Sequence, residues 1–215
     1  MNRHIPLVLA LVCCISAAAT TWAEEYGIGI RAGTQGLGLE GAVGIKKWVS
    51  LRGGVYGLEV SRDFDEGGID YEADLQLGGV GLLADFFPAR GQFRISAGLF
   101  ANRTEIGLTA IPTEDIEIGG TTYTPAEAGT LRGKIDFDST APYLGIGWGN
   151  VADGRRVGFL FDLGVLAQGS GDVSLSSDSG LVDPADFAAE IDEIEGEIED
   201  YDLWPVISFG IAIRI

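Results

Sequence analysis

Ile207-Ser208-Phe209-Gly210-Ile211-Ala212-Ile213-Arg214-Ile215 is the last stretch of the chain, and it alternates without a break. Every odd position holds a large apolar residue and every even one a small, polar or charged residue. A two-residue period places the two sets on opposite faces of a β-strand, whereas helical neighbours lie three and four positions apart. One face is therefore apolar over its whole length, with an arginine on the other.

The same rhythm returns upstream. Tyr26, Ile28, Ile30 and Ala32 oppose Gly27, Gly29 and Arg31; Leu37, Leu39, Gly41, Val43 and Ile45 oppose Gly38, Glu40, Ala42 and Gly44. A third strand begins near Val49. A fourth sets Tyr71, Ala73, Leu75 and Leu77 against Asp70, Glu72, Asp74 and Gln76 and stops at Pro88. A fifth sets Phe93, Ile95, Ala97, Leu99 and Ala101 against Arg94, Ser96, Gly98 and Asn102. In the sixth, Leu144, Ile146 and Trp148 have the parity of Lys134, Asp136 and Asp138 upstream, and a bulge near Pro142 is expected to reconcile the halves. The seventh places Val157, Phe159, Phe161, Leu163 and Val165 opposite Gly158, Asp162, Gly164 and Gln168.

Eight strands with apolar outer and polar inner faces predict an all-β chain: an eight-stranded antiparallel transmembrane up-and-down β-barrel. Closure leaves no strand edge in lipid. The connections 46–48, 88–92 and 150–156 are short, whereas those near Asp65, from Ile111 to Gly133 and from Ser176 to Asp200 are long. Short periplasmic turns and long external loops are the pattern of such barrels, and only the tight Gln35-Gly36 turn breaks it. Trp48, Phe86, Phe87, Phe93 and Trp148 gather on the short-turn side, as an interfacial aromatic belt does.

The other end of the chain carries an address. Arg3, an apolar run from Ile5 to Ala19 and Thr21-Trp22-Ala23 read as a secretory signal cleaved after Ala23, so residues 1–23 are the signal peptide and 24–215 the barrel. Cleavage removes Met1, His4, Cys13 and Cys14, which are all the Met, His and Cys of the chain. Thiolate nucleophiles, histidine bases and the commonest metal ligand leave together, so no enzyme activity, cofactor or metal is expected. One of the 14 basic residues and none of the 32 acidic ones goes with the signal, leaving a net charge of −19. Nucleic acid is a poor partner for such a chain. Outer-membrane lipid, lipopolysaccharide through divalent ions and small cationic solutes are better ones.

Ser208, Gly210, Ile213 and Ile215 match the polar-x-Gly-x-x-apolar-x-apolar signal recognised by the outer-membrane assembly machinery, with isoleucine where aromatics are usual. Arg31, Glu40, Arg52, Asp74, Arg94, Asp162 and Arg214 are the candidate lumen charges. Paired, they would close the interior; inward Gly27, Gly29, Gly145 and Gly147 could instead leave a passage. Asp183-Pro184 opens a short helix in the last external loop, with Asp as cap and Pro in the first turn. Phe187, Ile191, Ile194 and Ile198 form its apolar stripe, and Glu190, Glu193, Glu195, Glu197 and Glu199 are either a solvated face or an acidic lid over the mouth.

Gly119-Gly120-Thr121-Thr122-Tyr123, Gly133-Lys134-Ile135-Asp136 and Ala141-Pro142-Tyr143-Leu144-Gly145-Ile146-Gly147 resemble segments of the CarO-type outer-membrane proteins. So do Gly164-Val165, the run from Gly169 to Leu175 and Trp204-Pro205-Val206. The resemblance implies an eight-stranded Gram-negative outer-membrane barrel, porin-like, associated with uptake of ornithine and other basic amino acids and with carbapenem entry. The expected function is therefore a narrow or gated channel for small solutes, basic amino acids such as ornithine among them; the alternative, suggested by an interior that eight strands leave just wide enough for side chains to fill, is a non-conducting structural or adhesive barrel.

Overall fold

The computed structural model describes residues 25–66, 68–88, 91–151, 156–198 and 202–215; the expected signal peptide and Glu199 lie outside them. Eight strands close into a ring: β1 (Glu25–Gly33), β2 (Gly36–Lys46), β3 (Val49–Glu66), β4 (Ile69–Phe86), β5 (Phe93–Asn102), β10 (Thr140–Trp148), β11 (Val157–Ala167) and β13 (Leu203–Arg214). Each is antiparallel to its neighbours, and β1 pairs with β13 from Gly27↔Arg214 to Gly33↔Ser208 to complete the circle. The β1–β2 turn is the tight one read at Gln35-Gly36. Gly36 takes φ +90° there, and an added Cβ would press on the Gly57 carbonyl.

Burial follows the alternation residue by residue. Ile28, Ile30, Leu39, Leu82, Leu99, Leu144, Phe159, Phe209 and Ile211 point outward and form a continuous exposed apolar belt, Phe159 being 79% exposed. A folded soluble surface does not carry such a belt; a bilayer requires it. At its short-turn edge Trp48 meets Phe86 edge-on at 5.8 Å, and the Trp148 indole donates to Gln92 at 2.7 Å.

Beyond the belt the wall continues upward on one side only. β4 is paired twice: Gly79–Phe86 with β5, and Ile69–Gln76 with β6 (Glu105–Pro112), which resumes the path of β5 after Arg103 and Thr104. β9 (Leu131–Asp136) leads into β10 and β12 (Asp172–Ser177) follows β11, so β4, β6, β9 and β12 form an outer sheet above the barrel. The stretch expected to be a long polar loop from Ile111 to Gly133 holds the β7 (Ile116–Ile118) and β8 (Thr121–Tyr123) hairpin and a short helix, α1 (Pro125–Ala128).

The outer sheet corrects two expectations. Asp74 does not face the lumen: it is exposed on the outward face of β4 and accepts from the Ser61 hydroxyl, while Leu77, Leu83 and Asp85 of the opposite parity are buried. The outward environment changes from apolar to aqueous along one strand, so the same face is apolar in the belt and acidic above it. The parity of the sixth strand has the same cause. Even positions face outward in both β9 and β10, as Lys134 and Asp136 above and as Leu144, Ile146 and Trp148 within the belt. No bulge is needed at Pro142, which sits opposite Leu99 in unbroken register; the irregularity lies at residues 137–139.

The loop helix α2 (Pro184–Ile198) begins as read, with the Asp183 carboxylate accepting from the Ala185 amide at 2.8 Å. Phe187 packs against a cluster of Ile118, Tyr123, Ala128 and Val182, joining α2 to the β7–β8 hairpin.

Candidate functional site

The barrel interior is built in three layers. At the short-turn end Val151 folds inward with Leu160, Ala42 and Ala212. At the long-loop end Leu83, Phe100, Ala141, Tyr143, Leu166 and Val206 form a second apolar layer, with Tyr56 and Trp204 packed on it. Between them lies a layer of charge.

Three guanidinium groups and three carboxylates make up that layer, so it is neutral. Arg52 forks onto Asp85 with Nε at 3.0 Å and Nη2 at 3.1 Å, and its Nη1 reaches Glu40 at 3.0 Å. Arg94 Nη2 straddles Asp162 at 2.8 and 2.7 Å, and the same guanidinium donates to the Gly149 carbonyl. Arg31 pairs with Glu40 and Asp162 and donates to the Ser208 hydroxyl at 3.2 Å. Asp162 thus touches all three arginines, Arg52 at 3.5 Å. The Ser96 hydroxyl donates to Asp85 at 2.5 Å and the Tyr56 hydroxyl to Glu40. Glu40 and Arg94 are 1% exposed, and none of the six residues exceeds 4%. Buried charges persist only when paired and hydrogen-bonded, and bidentate arginine forks supply the strongest such pairs.

Five of the seven candidate lumen charges, Arg31, Glu40, Arg52, Arg94 and Asp162, meet in this layer. Asp74 stands outside, as described. Arg214 has inward parity but lies at the short-turn rim, half exposed, paired with Glu25 at 3.3 Å; it is the last strand residue, below the inner apolar layer. Asp85, Tyr56, Ser96 and Ser208 complete the layer, and the strand pattern alone does not single them out as lumen charges or their partners. Charge balance could have found Asp85: three buried arginines against Glu40 and Asp162 leave one positive charge unmatched.

The inward glycines do not open a passage. Room beside Gly27 is taken by Val151, beside Gly29 by Leu160, beside Gly145 by the Tyr143 hydroxyl, and beside Gly147 by Asp162 and Arg94. They are small because large neighbours need their space. Gly210 acts likewise at the β1–β13 seam, where a Cβ would run into the Ile30 carbonyl and lie 2.8 Å from Arg31 Cγ. Gly210→Ala is accordingly expected to cost about 1–3 kcal/mol, seen as an earlier urea midpoint of the protein refolded in detergent.

The acidic helix is moored to the outer sheet rather than laid over the mouth. Glu190 accepts from the Gly119 amide at 2.9 Å and Glu195 from the Val173 amide at 3.1 Å, while Asp186 accepts from Tyr123 at 2.5 Å. That last hydrogen bond holds the Tyr123 phenol above its ordinary pKa. Glu193 and Glu197 face solvent. The cavity above the upper apolar layer is walled by Thr34, Gln35, Leu77, Asn102, Gln168 and Trp204, with no residue of α2 among its lining. The lid expectation for Glu190, Glu193, Glu195 and Glu197 fails on this placement, because the apolar stripe seeks the hydrophobic face of the hairpin and outer sheet.

A closed antiparallel ring of eight strands, apolar outside and charge-paired within, defines the class of eight-stranded barrels with side-chain-filled interiors. Among solved structures, the chain is similar to CarO2 of Acinetobacter baumannii, at 21% identity and a TM-score of 0.62, covering 91% of this chain and 100% of that one. It is also similar to CarO of Acinetobacter baumannii, at 22% identity and a TM-score of 0.58, covering 87% and 96%. The resemblance read in the sequence is thus a likeness of fold along almost the whole chain. No family model and no curated protein matches the sequence.

Proposed function

We propose that the chain spans the outer membrane of a Gram-negative cell as a sealed, non-enzymatic barrel that anchors and displays the outer sheet. The observation that carries this reading is the neutral layer of Arg31, Arg52, Arg94, Glu40, Asp85 and Asp162, buried to 4% exposure or less between two apolar layers. A solute crossing the lumen would have to part three guanidinium groups from their carboxylates at once, leaving charges unpaired in a low-dielectric interior. The apolar belt supports the membrane location, with signal cleavage after Ala23 and the terminal Ser208, Gly210, Ile213 and Ile215 serving export and assembly. Lipid and lipopolysaccharide are the partners in this reading, the acidic external loops meeting the latter through divalent ions.

The competing reading is a narrow or gated channel for small solutes such as ornithine. One experiment separates the two. Purified protein in planar bilayers is expected to give no steady conductance, and proteoliposomes no uptake of labelled ornithine above empty vesicles. Stepwise conductance, or saturable uptake, would replace the sealed barrel with the channel.

A further inference from the structure

Among the described residues, the short-turn rim carries mostly positive charge, opposite in sign to the chain as a whole. Lys46 and Lys47 are exposed in the β2–β3 turn, Arg156 is exposed just before β11, and Arg214 sits at the end of β13. Among the described residues of that rim, Glu25 is the acidic counterpart, and Arg214 already holds it. At the other end the β3–β4 hairpin sets Asp63 opposite Glu72 and Asp65 opposite Asp70, with Glu59 and Asp74 close by. Like charges directly across a strand pair repel one another, and without bridging cations this end repels an anionic surface.

Depth matters as much as sign. Lys46 Nζ lies 5.4 Å from the centre of the Trp48 ring, and Trp48 in turn packs on Phe86. Trp48, Trp148 and Val157 are exposed on the outward face at this level. Amphipathic indoles settle where hydrocarbon meets headgroups, which puts Lys46, Lys47 and Arg156 at the height of lipid phosphates. A cation stacked on its own indole is also held close to the wall, where an annular lipid would sit.

We infer that Lys46, Lys47 and Arg156 form a docking rim for anionic phospholipid headgroups, phosphatidylglycerol in the first instance, on the short-turn side of the membrane. This rests on the membrane-spanning reading above and adds the lipid class and the leaflet. The rim selects phosphate without a neutralising amine, because each cation near a negative surface adds attraction that a zwitterionic headgroup largely cancels. Paired with an acidic opposite end, it also gives the barrel an electrical polarity across the bilayer.

The test is native mass spectrometry of the folded full chain released from micelles doped with equal amounts of phosphatidylglycerol and phosphatidylcholine. Wild type is expected to retain phosphatidylglycerol over phosphatidylcholine by about fivefold or more, roughly the effect of one basic residue near an anionic surface. K46Q/K47Q/R156Q is expected to lose that preference while keeping the same strand content by circular dichroism. R132Q/K134Q, at the opposite end, should keep it. Equal retention of the two lipids by wild type, or an unchanged preference in the triple variant, overturns the docking rim and leaves the barrel reading intact. Failure to retain any lipid, together with failure to insert into vesicles of either composition, overturns the membrane-spanning reading itself.

Discussion

Asp162→Asn is expected to lower stability by about 3–5 kcal/mol, the cost of breaking a buried ion pair by removing one partner. The substitution keeps the shape of the side chain and removes the one carboxylate that contacts Arg31, Arg52 and Arg94 together. Three guanidinium groups then face two carboxylates. The layer has no spare acceptors to offer, since Arg31 Nη2 and Arg94 Nε already lack hydrogen-bond partners. Urea unfolding of the refolded protein, followed by tryptophan fluorescence, would register the loss as an earlier midpoint. Adding Arg94→Gln restores neutrality, so the double variant should be less destabilised than the sum of the two single ones, by roughly 0.5–3 kcal/mol. Strict additivity would mean that the six residues do not act as one layer.

Phe100→Ala should cost about as much, 3–5 kcal/mol for truncating a buried aromatic, yet should open nothing. Phe100 is 3% exposed and packs against Tyr143 at 5.8 Å and Tyr56 at 5.5 Å, both between ring centres. Its loss leaves a cavity in the upper apolar layer only. Bilayer recordings of Phe100→Ala are therefore expected to remain silent while the unfolding midpoint falls. A conducting Phe100→Ala would place the seal in the aromatic layer and demote the ionic one.

The contrast between these layers explains how much of the molecule could be read in advance. The barrel was legible because within the belt one face of each strand meets a single uniform environment, and a uniform environment writes a period into the sequence. Five lumen charges were legible for the same reason. Asp74 misled because the rule reverses where the strand leaves the belt: polar then marks the outside, and Leu75 and Leu77 mark the inside. Asp85 escaped notice because it lies among Leu83, Phe86 and Phe87, in a stretch whose apolar residues face both ways. The inward glycines misled because absence of a side chain says nothing about who fills the gap; Val151, Leu160 and the Tyr143 hydroxyl reach in from elsewhere in the chain. β12 and the mooring of α2 depend on contacts far apart in sequence, such as Gly171 beneath Ile198, and no local pattern announces them.

β3 and β4 each run for 18 residues. At about 3.3 Å per residue and a tilt near 40°, that is a rise of roughly 45 Å, against an apolar band of about 25 Å. The hairpin thus climbs roughly 20 Å past the hydrocarbon, which in the proposed orientation is the depth of the surface sugars. In the proposed orientation Asp65 and Asp70, paired across that tip, stand well beyond the mouth of the barrel. Substitutions at that tip should leave the unfolding midpoint unchanged, since the buried charge layer lies far below it.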